Sequence, residues 1–357
     1  MAHALALAQR GLGRVAPNPA VGCVIVSREG HVVGRGWTQP GGRPHAETVA
    51  LSQSGAAARG AAVYVSLEPC AHQGKTPPCA NALAQAQVAR VVGAIEDPDP
   101  RVKGKGFAML RAAGIEVSVG MLAREAAALN AGFFSVLARG RPLVTLKIAQ
   151  SLDGKTQTAS GKSQWITGAE SRRFGHLLRA ENDAILVGIG TVLADDPMLD
   201  CRIEGLADRS PVRVVVDSKL RLSEASKIAK SAAKHPTLVF TTAAKGNDAL
   251  SAAGVDVVRV MPDAQGRPDV AAVLAELGKR GITRLLVEGG AIVHAAFLDC
   301  GLADRLEVFT APMTLGNSGK GGIAALRSAT LEEVPRFART GTRVLGPDLL
   351  ESFAVRA

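Results

Sequence analysis

The first 136 residues alternate between short apolar runs and segments with helical spacing of apolar and polar positions. Runs rich in Val and Ile predict strands, and the segments between them predict helices. The predicted strands are "AVGCVIVS", "HVVGRGW", "AAVYVSLEP", "RVVGAI" and "GIEVSVG", with the turn "REG" joining the first two into a hairpin. The predicted helices cover residues 2–10, 45–54, 79–87, 104–113 and 121–136. This alternation indicates one sheet with helices packed on its faces.

The segment "ARGRP", residues 138–142, interrupts this pattern with polar, Gly and Pro residues and marks the predicted domain boundary. A second alternating series follows it. Its predicted strands are "LVTLKIA", "AILVGI", "VRVVVD", "TLVFTT", "VDVVRV", "TRLLVE" and "RLEVFTAP", and its predicted helices lie near 169–181, 270–280 and 291–300. The two halves share no internal repeat. We therefore predict two α/β domains, residues 1–140 and 141–357.

Composition agrees with two globular domains and narrows the classes of function. The chain has 357 residues, of which 47% are hydrophobic and 21% charged. The net charge of +10 would suit an anionic partner, but the Lys and Arg residues are scattered, as on a solvated basic surface. An aromatic content of 3% argues against stacking on single-stranded nucleic acid.

The same sequence indicates a protein of the reducing cytoplasm. No apolar run approaches the length of a membrane span. The N-terminal "MAHALALAQRG" lacks a basic region before its apolar run and is a poor signal peptide. Five scattered cysteines in a chain of this length argue against a disulfide framework.

The first candidate for chemistry combines "RPHAETVAL", residues 43–51, with "SLEPCAHQGKTPPCANAL", residues 66–83. His45, Cys70 and Cys79 offer one imidazole and two thiolates, a donor set that suits Zn²⁺ and leaves its fourth tetrahedral position open. An open position is typical of catalytic zinc, which activates a water at neutral pH. Glu47 can move the proton of that water to a leaving group.

Each half of this site has an ordinary explanation when it is taken alone. A His-x-Glu pair is more often a surface feature than a site, and two cysteines can be buried thiols. Both halves, however, fall at predicted strand-to-helix junctions on one side of a sheet, where such folds place active sites. His45 follows Pro44 at a helix start, and Cys79 opens the next helix, whose N-terminus stabilises a thiolate. Their joint occurrence favours the metal site.

The motif "HAE" followed by "EPC" and a second Cys resembles the zinc-dependent cytidine deaminase superfamily, whose signature is H-x-E…P-C-x-x-C. Eight residues, "AHQGKTPP", separate the cysteines here instead of two. This longer spacing, with "PNPAVGCVIV" before it and "GKTPPC" at its close, resembles the riboflavin-biosynthesis deaminase, which is commonly fused to a reductase. The resemblance extends over essentially the whole chain. It implies an N-terminal cytidine-deaminase-like α/β/α sandwich and a C-terminal dihydrofolate-reductase-like α/β domain.

The resemblance assigns zinc binding to the three ligands named above and proton transfer to Glu47. It also implies contacts to the substrate. The substrate would meet Asn18, His72 and Lys75, of which the last two suit a ribose phosphate. Alternatively, Lys75 is an exposed loop lysine and Asn18 a turn residue between two prolines. Two departures stand out. Thr38 occupies a position where many relatives carry His, which puts one substrate contact in doubt. Relatives also usually begin several residues earlier, so we expect part of the lead-in to the first helix to be missing or the start to be misassigned.

The second half contains no G-x-G-x-x-G between a strand and a helix, so a classical dinucleotide-binding fold is not predicted. Two other Gly-containing turns follow predicted strands. In "LLVEGGAIVHAAF", Gly289 and Gly290 would let backbone amides approach a phosphate at a helix N-terminus. The stretch "ILVGIGTVLADDPML" offers a similar strand-to-loop turn with the hydroxyl of Thr191. Taken alone, each could simply be a turn.

The segments "LKIAQSLDGKTQTASGKSQWIT", "TVLADDPML" and "VEGG" resemble the reductase half of the same family, which uses NADPH. The resemblance places the cofactor against Ala149, Trp165, Thr191, Asp195, Ser218 and the segment that starts at Gly290. It places the substrate against Lys147, Ser163, Arg179, Leu199, Arg202 and Glu288. Arg179 and Arg202 could pair with the substrate phosphate. Alternatively, Arg179 lies on a solvated helix face and Trp165 in the core, and Asp153 is expected to make a turn.

These observations predict a bifunctional enzyme that acts on a small phosphorylated pyrimidine, with Zn²⁺ and NADPH as cofactors. The N-terminal domain would hydrolytically deaminate a diaminopyrimidinone that carries a phosphoribosylamino group. The C-terminal domain would then reduce the ribose to a ribityl chain. We expect a homo-oligomer, with neither nucleic acid nor membrane as a partner.

Two rival functions remain open. The first is a nucleoside or nucleic-acid deaminase with an unrelated second domain, against which the low aromatic content and the lengthened cysteine loop count. The second is a zinc-stabilised nucleic-acid-binding protein, which needs a fourth protein ligand and a clustered basic stripe. His72 is the nearest candidate for that ligand, and the resemblance assigns it to substrate instead.

Overall fold

The computed structural model describes residues 1–73, 77–244, 246–328 and 330–356. The chain divides into two compact units, Met1–Gly140 and Arg141–Ala357. Each unit is an α/β fold with its own main sheet and its own hydrophobic core. Within the described part of the chain, no helix combines the length and the apolar character needed to cross a membrane.

The first unit is built on a mixed five-stranded sheet. Its strands are β1 (Gly22–Val26), β2 (Val32–Trp37), β3 (Ala62–Val65), β4 (Arg90–Gly93) and β5 (Glu116–Val119). Its α-helices are α1 (Ala2–Gln9), α2 (Ala46–Ser54), α3 (Cys79–Gln85), α4 (Lys105–Ala112), α5 (Ala123–Leu129) and α6 (Ala131–Arg139). The strand order is β2-β1-β3-β4-β5, with β1 antiparallel to both neighbours and β3, β4 and β5 parallel. The predicted hairpin, the five predicted strands and the first four predicted helices are confirmed.

Helices cover both faces of this sheet because successive strand residues point to opposite sides. Cys23, Ile25 and Val63 point to one side and form a core with α2, α3 and α4. Gly22 belongs to the other side, where an added Cβ would collide with the carbonyl oxygen of Ala4 in α1. The N-terminal unit is therefore the predicted three-layer α/β/α arrangement.

Two glycines of β2 let α2 lie unusually close to the sheet. An added Cβ at Gly36 would collide with the carbonyl oxygen of Ala46, and one at Gly34 would collide with that of Ala50. Both glycines are buried. The backbone of α2 therefore rests directly on β2, which fixes the height of the helix start above the sheet.

The prediction of a single helix over residues 121–136 is wrong, since α5 and α6 are separate helices that meet at Asn130. The side-chain Oδ1 of Asn130 accepts a hydrogen bond of 2.9 Å from the backbone N–H of Ala20, and its Nδ2 donates one of 3.1 Å to the Ala20 carbonyl. Asparagine side chains that bond to backbone groups compete with helix continuation. Here they also tie α5 and α6 to the segment before β1.

The second unit contains a nine-stranded main sheet and a small two-stranded one. The strands are β6 (Leu143–Ser151), β7 (Lys155–Gln157), β8 (Ala184–Gly188), β9 (Val212–Val216), β10 (Thr237–Thr241), β11 (Asp256–Arg259), β12 (Arg284–Gly289), β13 (Arg305–Ala311), β14 (Lys320–Gly321), β15 (Phe337–Leu345) and β16 (Asp348–Val355). The α-helices are α7 (Ala169–Ala180), α8 (Ile189–Asp195), α9 (Lys227–Lys230), α10 (Asp248–Ala252), α11 (Val270–Lys279) and α12 (Ala291–Asp299).

The main sheet has the order β11-β10-β9-β8-β12-β6-β13-β16-β15, and β7 pairs with β14. The first seven strands in this order, from β11 to β13, are parallel to their neighbours. Strands β16 and β15 are antiparallel additions at one edge. Leu146, Leu186 and Val287 form a core with α11 and α12, whereas Val187 and Leu286 belong to a second core with α7 to α10. Two cores on opposite faces explain why the central strands present apolar residues to both sides of the sheet.

The seven predicted strands and three predicted helices of this unit are confirmed. The pattern failed for β15 and β16 and for the short elements β7, β14, α8, α9 and α10. Strand β15 is exposed along almost its whole length and is rich in Arg and Thr, so it has no apolar run to detect. The segment after β8, predicted as a loop, is the helix α8, which begins at Ile189 directly after the strand.

Candidate active sites

In the first unit, the structure brings together His45, Cys70 and Cys79. One ligand atom from each residue lies within 4.8 Å of the other two. His45 Nδ1 is 3.7 Å from Cys70 Sγ and 3.3 Å from Cys79 Sγ, so the same ring nitrogen faces both sulfurs. Within the described ranges, this is the single group of three such residues that could hold a metal ion.

Local structure explains how residues far apart in sequence converge here. His45 is the N-cap of α2 and lies just outside its first turn, and Glu47 lies within that turn. Cys79 is the first residue of α3, and its backbone N–H donates a 3.2 Å hydrogen bond to Cys70 Sγ. The helix start therefore stabilises the thiolate of Cys70, rather than that of Cys79 as the sequence suggested.

The electrostatics of the cluster show groups that compete for protons. Hydrogen bonding from Cys79 lowers the pKa of Cys70 to about 4, and the same pair interaction raises the pKa of Cys79. Hydrogen bonding to Cys70 raises the pKa of His45. Burial, reinforced by the negative charge of Cys70, raises the pKa of Glu47 to about 7. A bound cation would relieve this crowding of negative groups because it favours the deprotonated form of every ligand.

The donor set fits Zn²⁺. Two thiolates and one imidazole are ligands that zinc prefers, and three protein ligands leave a fourth position for water or substrate. Glu47 is 4% exposed and lines the cavity next to the cluster, but it is not one of the three residues of the cluster. This arrangement suits a catalytic metal centre with a neighbouring group that transfers protons.

A cavity of about 440 Å³ opens onto this cluster. The predicted substrate residues Asn18 and His72 line it together with Thr38. The buried Nδ1 of His72 has no hydrogen-bond partner among the described residues, as expected for a group that waits for a ligand. The predicted contact Lys75 lies outside the described residues.

The turn around Asn18 and the substitution at Thr38 also have structural explanations. The side chain of Asn18 lies directly over Gly42, where φ is +82° and a Cβ would overlap the Asn18 amide. Thr38 is buried, and its Oγ1 accepts a 3.0 Å hydrogen bond from the N–H of Val21. Thr38 therefore lines the cavity while its hydroxyl supports the β1–β2 hairpin.

Among the polar residues on this cavity that the sequence analysis missed are Asp97, Asp99 and Arg101. They follow β4 in the stretch "EDPDPRVKGKG". Asp99 forms a bidentate pair with Arg101, whose charge, through its hydrogen bonds, holds the pKa of Asp99 below its ordinary value. Burial raises the pKa of Asp97 to about 6. The signal that could have found them is their position at the carboxyl end of a parallel strand.

A cavity of about 210 Å³ lies in the second unit. Five residues predicted for substrate or cofactor line it: Lys147, Trp165, Arg179, Arg202 and Glu288. They come from β6, α7, β12 and two connecting segments, so the fold gathers them from across the unit. Ser163 and Leu199, predicted substrate contacts, are not among the lining residues, and Leu199 is buried with φ at +55°.

The side chain of Arg179 is 15% exposed, so it does not lie on a solvated helix face, and three of its five N–H donors have partners within the protein. Its Nε and Nη2 donate hydrogen bonds of 2.7 and 2.8 Å to the two carboxylate oxygens of Glu288, and its Nη1 donates one to the Asp200 carbonyl. Burial would raise the pKa of Glu288, but the charges of Arg179 and Lys147 outweigh it and hold that pKa at about 2. Lys147 is the third member of this group, and its Nζ lies 3.8 Å from Glu288. Because Arg179 already pairs with Glu288 at a shorter distance, Lys147 adds a positive charge that the single carboxylate does not fully balance.

Other residues of this cavity extend what the sequence predicted. Trp165 is exposed rather than in the core, and the Arg172 guanidinium lies 4.8 Å from its ring centroid. Ser171, in the first turn of α7, lines the cavity, and its buried Oγ has no hydrogen-bond partner among the described residues. Asp153 makes the predicted turn and also accepts hydrogen bonds from the backbone of residues 315 and 316. No pattern in the sequence distinguishes Ser171 or Arg172 from ordinary helix residues.

The residues predicted to bind the cofactor lie near the ends of the central strands. Gly290 is the N-cap of α12, and an added Cβ there would lie 3.6 Å from Thr191 Oγ1 in α8. The two Gly-containing turns that the sequence presented separately are therefore neighbours. Ala149 lies on β6, exposed Asp195 ends α8, and Ser218 follows β9 with its carbonyl held by Thr241 and Thr242. Two adjacent helix starts with glycines suit a phosphate-containing cofactor such as NADPH.

Comparison with known families matches both units. Residues 142–350 match the family described as the RibD C-terminal domain. Residues 1–95 match the cytidine and deoxycytidylate deaminase zinc-binding region.

Relatives of similar length extend this match over the whole chain. The riboflavin biosynthesis protein RibD of Escherichia coli is 42% identical over 98% of this chain and 96% of its own length. A solved structure of RibD from Acinetobacter baumannii, form 1, has a TM-score of 0.88 at 39% identity, and the match covers 100% of this chain and 98% of that one. A diaminohydroxyphosphoribosylaminopyrimidine deaminase/5-amino-6-(5-phosphoribosylamino)uracil reductase from Thermotoga maritima has a TM-score of 0.88 at 34% identity, covering 100% and 97%.

Proposed function

The chain belongs to the RibD family of bifunctional riboflavin-biosynthesis deaminase–reductases, and on that premise we propose its substrates, its catalytic residues and the division of labour between its domains. Residues 1–140 would carry the deaminase and residues 141–357 the reductase. The first substrate would be 2,5-diamino-6-(5-phosphoribosylamino)pyrimidin-4(3H)-one, and the deaminated product would be the substrate of the second reaction. The name of the Thermotoga maritima relative supports both assignments.

In the deamination, His45, Cys70 and Cys79 would hold Zn²⁺. Zn²⁺, when bound, supplies an activated water as the nucleophile. Glu47 would transfer the two protons of that water in turn, the first to the ring nitrogen and the second to the amine, so that ammonia leaves and a carbonyl remains. Glu47 is 4% exposed, so this proton transfer would take place in a site largely shielded from solvent.

The remaining residues of the first cavity would bind and orient the substrate. Asn18 would contact the pyrimidine, and His72 with Lys75 would bind the ribose phosphate. Of these two residues the structure describes His72. Its buried Nδ1, which has no hydrogen-bond partner among the described residues, supports a role in binding the ribose phosphate.

In the reduction, NADPH supplies the hydride that converts the ribose into a ribityl chain. Ala149, Trp165, Thr191, Asp195, Ser218 and the segment from Gly290 would hold the cofactor. Lys147, Ser163, Arg202, Leu199 and the Arg179–Glu288 pair would hold the substrate, with Lys147 and Arg202 as its cationic contacts. Arg179 would fix the carboxylate of Glu288 through its Nε and Nη2, and its remaining N–H groups would be available to the substrate phosphate.

The observation that carries this proposal is the pairing of two separate cavities, one beside a His-Cys-Cys cluster with a buried glutamate and one lined by cationic side chains. A deaminase with an unrelated second domain does not agree with the match of residues 142–350 to the RibD C-terminal domain. A zinc-stabilised nucleic-acid-binding protein needs a fourth protein ligand, and the described residues offer three.

The test is a two-signal assay on the purified chain with the diaminopyrimidinone phosphoribosyl substrate. Ammonia release and NADPH oxidation would be followed separately in wild type, in Glu47→Ala and in Glu29→Ala, an exposed control in the same unit. We expect ammonia release to disappear only in Glu47→Ala. NADPH oxidation should return in that variant when the deaminated product is supplied. Zinc-loaded wild type that releases no ammonia would favour another base as the substrate.

We further propose that the enzyme works in the cytoplasm as a homo-oligomer. Metal binding by Cys70 and Cys79 requires reduced thiols, which the cytoplasm maintains. The exposed nine-residue edge strand β15 offers unpaired backbone groups for a second copy. Light scattering of the purified chain would test the oligomer.

A further inference from the structure

Glu68, two residues before the zinc ligand Cys70, carries a buried carboxylate that the proposed chemistry does not use. It is 4% exposed. Its Oε1 accepts hydrogen bonds from the backbone N–H groups of Gly106 and Phe107, at 2.8 and 3.2 Å. Its Oε2 accepts two more from Asp97 and Gly104, at 3.1 and 2.9 Å. With two donors on each oxygen, this carboxylate is saturated and has no capacity left for substrate.

The four donors belong to one segment, residues 97–107, which runs from the end of β4 into the first turn of α4. The N-cap of α4 is Gly104, which has no side chain to cap the helix. Glu68 takes over that role from 36 to 39 positions away in sequence and meets the positive end of the helix dipole.

A second observation shows that the contact between the two segments is tight. An added Cβ at Gly106 would collide with the carbonyl oxygen of Pro69, the residue between Glu68 and Cys70. The start of α4 therefore rests directly on the backbone that leads to the zinc ligand. This close approach has nothing to do with the charge of Glu68, so it supports the juxtaposition independently.

From Glu68 a chain of hydrogen bonds continues along the cavity wall. The N–H of Asp97 binds Glu68, and Asp97 Oδ1 accepts the N–H of Asp99 at 2.9 Å. Asp99 Oδ1 in turn accepts the N–H of Arg101 at 2.9 Å and pairs with its guanidinium. Asp97, Asp99 and Arg101 all line the 440 Å³ cavity. The position of each therefore depends on the one before it, starting from Glu68.

We propose that Glu68 is a positioning residue that fixes the substrate-facing segment 97–107 relative to the zinc-bearing segment 68–70. It would determine how tightly the deaminase substrate binds, and not zinc affinity or proton transfer. This inference rests on the proposed deamination for its kinetic consequence but not for its structural one.

The first test is Glu68→Gln, beside Glu96→Gln, which makes the same charge change at an exposed position next to Asp97. The amide places an NH₂ group against two of the four N–H donors, so those hydrogen bonds are lost. We expect KM for deamination to rise about tenfold or more, since charge-assisted hydrogen bonds are lost. The value of kcat, the zinc content and the reductase kinetics should stay as in wild type and in Glu96→Gln.

A structural readout that needs no activity separates this inference from the proposed function. In Glu68→Gln, hydrogen exchange across residues 97–107 should accelerate about tenfold or more because its amides lose their acceptor. Exchange across α2 should not change. A wild type that releases no ammonia would contradict the proposed deamination, and the exchange experiment would still test Glu68.

A double-mutant cycle tests the link to Arg101. If Glu68 acts through this chain, Arg101→Ala should raise KM in wild type and have much less effect in Glu68→Gln. Additive effects, loss of zinc, or a fall in kcat at unchanged KM would each overturn the proposal. Should Glu68→Gln not fold, Asp99→Ala interrupts the same chain further along: it should raise KM with zinc and α4 protection intact, and an unchanged KM would contradict the inference.

Discussion

The deamination site collects two thiols, an imidazole and a buried carboxylate around one point, whereas the reduction site already contains its own counter-charges. In the first, Cys70, Cys79 and Glu47 compete for protons, and a bound cation would offset this crowding of negative groups. In the second, Arg179 and Lys147 neutralise Glu288 within the protein. One site therefore depends on an ion from solution, and the other depends on an internal ion pair.

The largest expected effect comes from removing the metal. A chelator that strips zinc should lower ammonia release roughly a thousand-fold, since several kcal/mol of electrostatic stabilisation are lost. NADPH oxidation on the deaminated substrate should not change. Zinc content and both activities would be measured on the same sample before and after Zn²⁺ is restored. Full ammonia release from a zinc-free chain would contradict the claim that the deamination site depends on a metal ion.

The matching change in the second unit is Lys147→Met, which removes the cationic side chain beside Glu288. We expect KM of the reductase to rise by about 10- to 100-fold, because a charged contact to substrate is lost. Ammonia release should stay at the wild-type rate. Lys162→Met, an exposed lysine of the same unit, is the control and should behave as wild type. An equal effect of both substitutions would point to general surface charge.

The internal ion pair can be tested by stability. Glu288→Gln leaves the buried guanidinium of Arg179 without its carboxylate and should lower the free energy of unfolding by about 3 kcal/mol. Glu276→Gln breaks the more exposed Glu276–Arg280 pair and should cost about 0.5 kcal/mol or less. Urea denaturation at pH 7 measures both values. Equal costs would show that burial of the first pair has no energetic weight.

Acid should erase the difference between wild type and Glu288→Gln. The pKa of Glu288 is about 2 in the folded chain, against an ordinary value of 4.5. Below about pH 5, Glu288 becomes protonated in the unfolded chain while it stays ionised in the folded chain. The stability that Glu288 contributes therefore falls as the pH drops toward 2. Unfolding curves between pH 7 and 3 should therefore converge. A constant gap over this range would mean that Glu288 titrates normally in the folded protein.

The smallest expected effect is that of Arg202→Ala, at the exposed rim of the second cavity. Its side chain is 62% exposed and lies 3.5 Å from Asp200. Solvent screens such a charge, so we expect the reductase KM to rise less than tenfold and the stability to stay within about 0.5 kcal/mol of wild type. The salt dependence of KM measures this contribution. A loss as large as that of Lys147→Met would place Arg202 among the tightly bound contacts.

The same contrast explains what the sequence could predict. His45, Glu47, Cys70 and Cys79 are rare residue types in short motifs, and each chemical requirement narrows the choice of residue. Arg179 and Glu288 are common types 109 positions apart, and their pairing follows from the fold. The sequence therefore indicated that Arg179 could pair with a phosphate, while its pairing with Glu288 is visible only in the structure.

The fold shows a similar limit. The buried parallel strands β8, β9, β10 and β12 consist mainly of apolar residues, so their pattern was sufficient. Strand β15 is held by pairing with β16 and not by burial, and the break at Asn130 depends on contacts with Ala20, 110 residues away. Glu68 belongs to the same class, since its four donors lie 29 to 39 positions further along the chain.

Gly36 lies under Ala46, the residue between the imidazole and the carboxylate of the deamination site. Only a hydrogen atom separates the strand from the helix there, so strand and helix are already in contact and any larger residue must push them apart. Exchange of side chains around the cavity leaves this contact untouched, so the height of the imidazole and the carboxylate above the sheet does not depend on those side chains. Gly36 does not line the cavity and has no functional group, yet it has little freedom to vary.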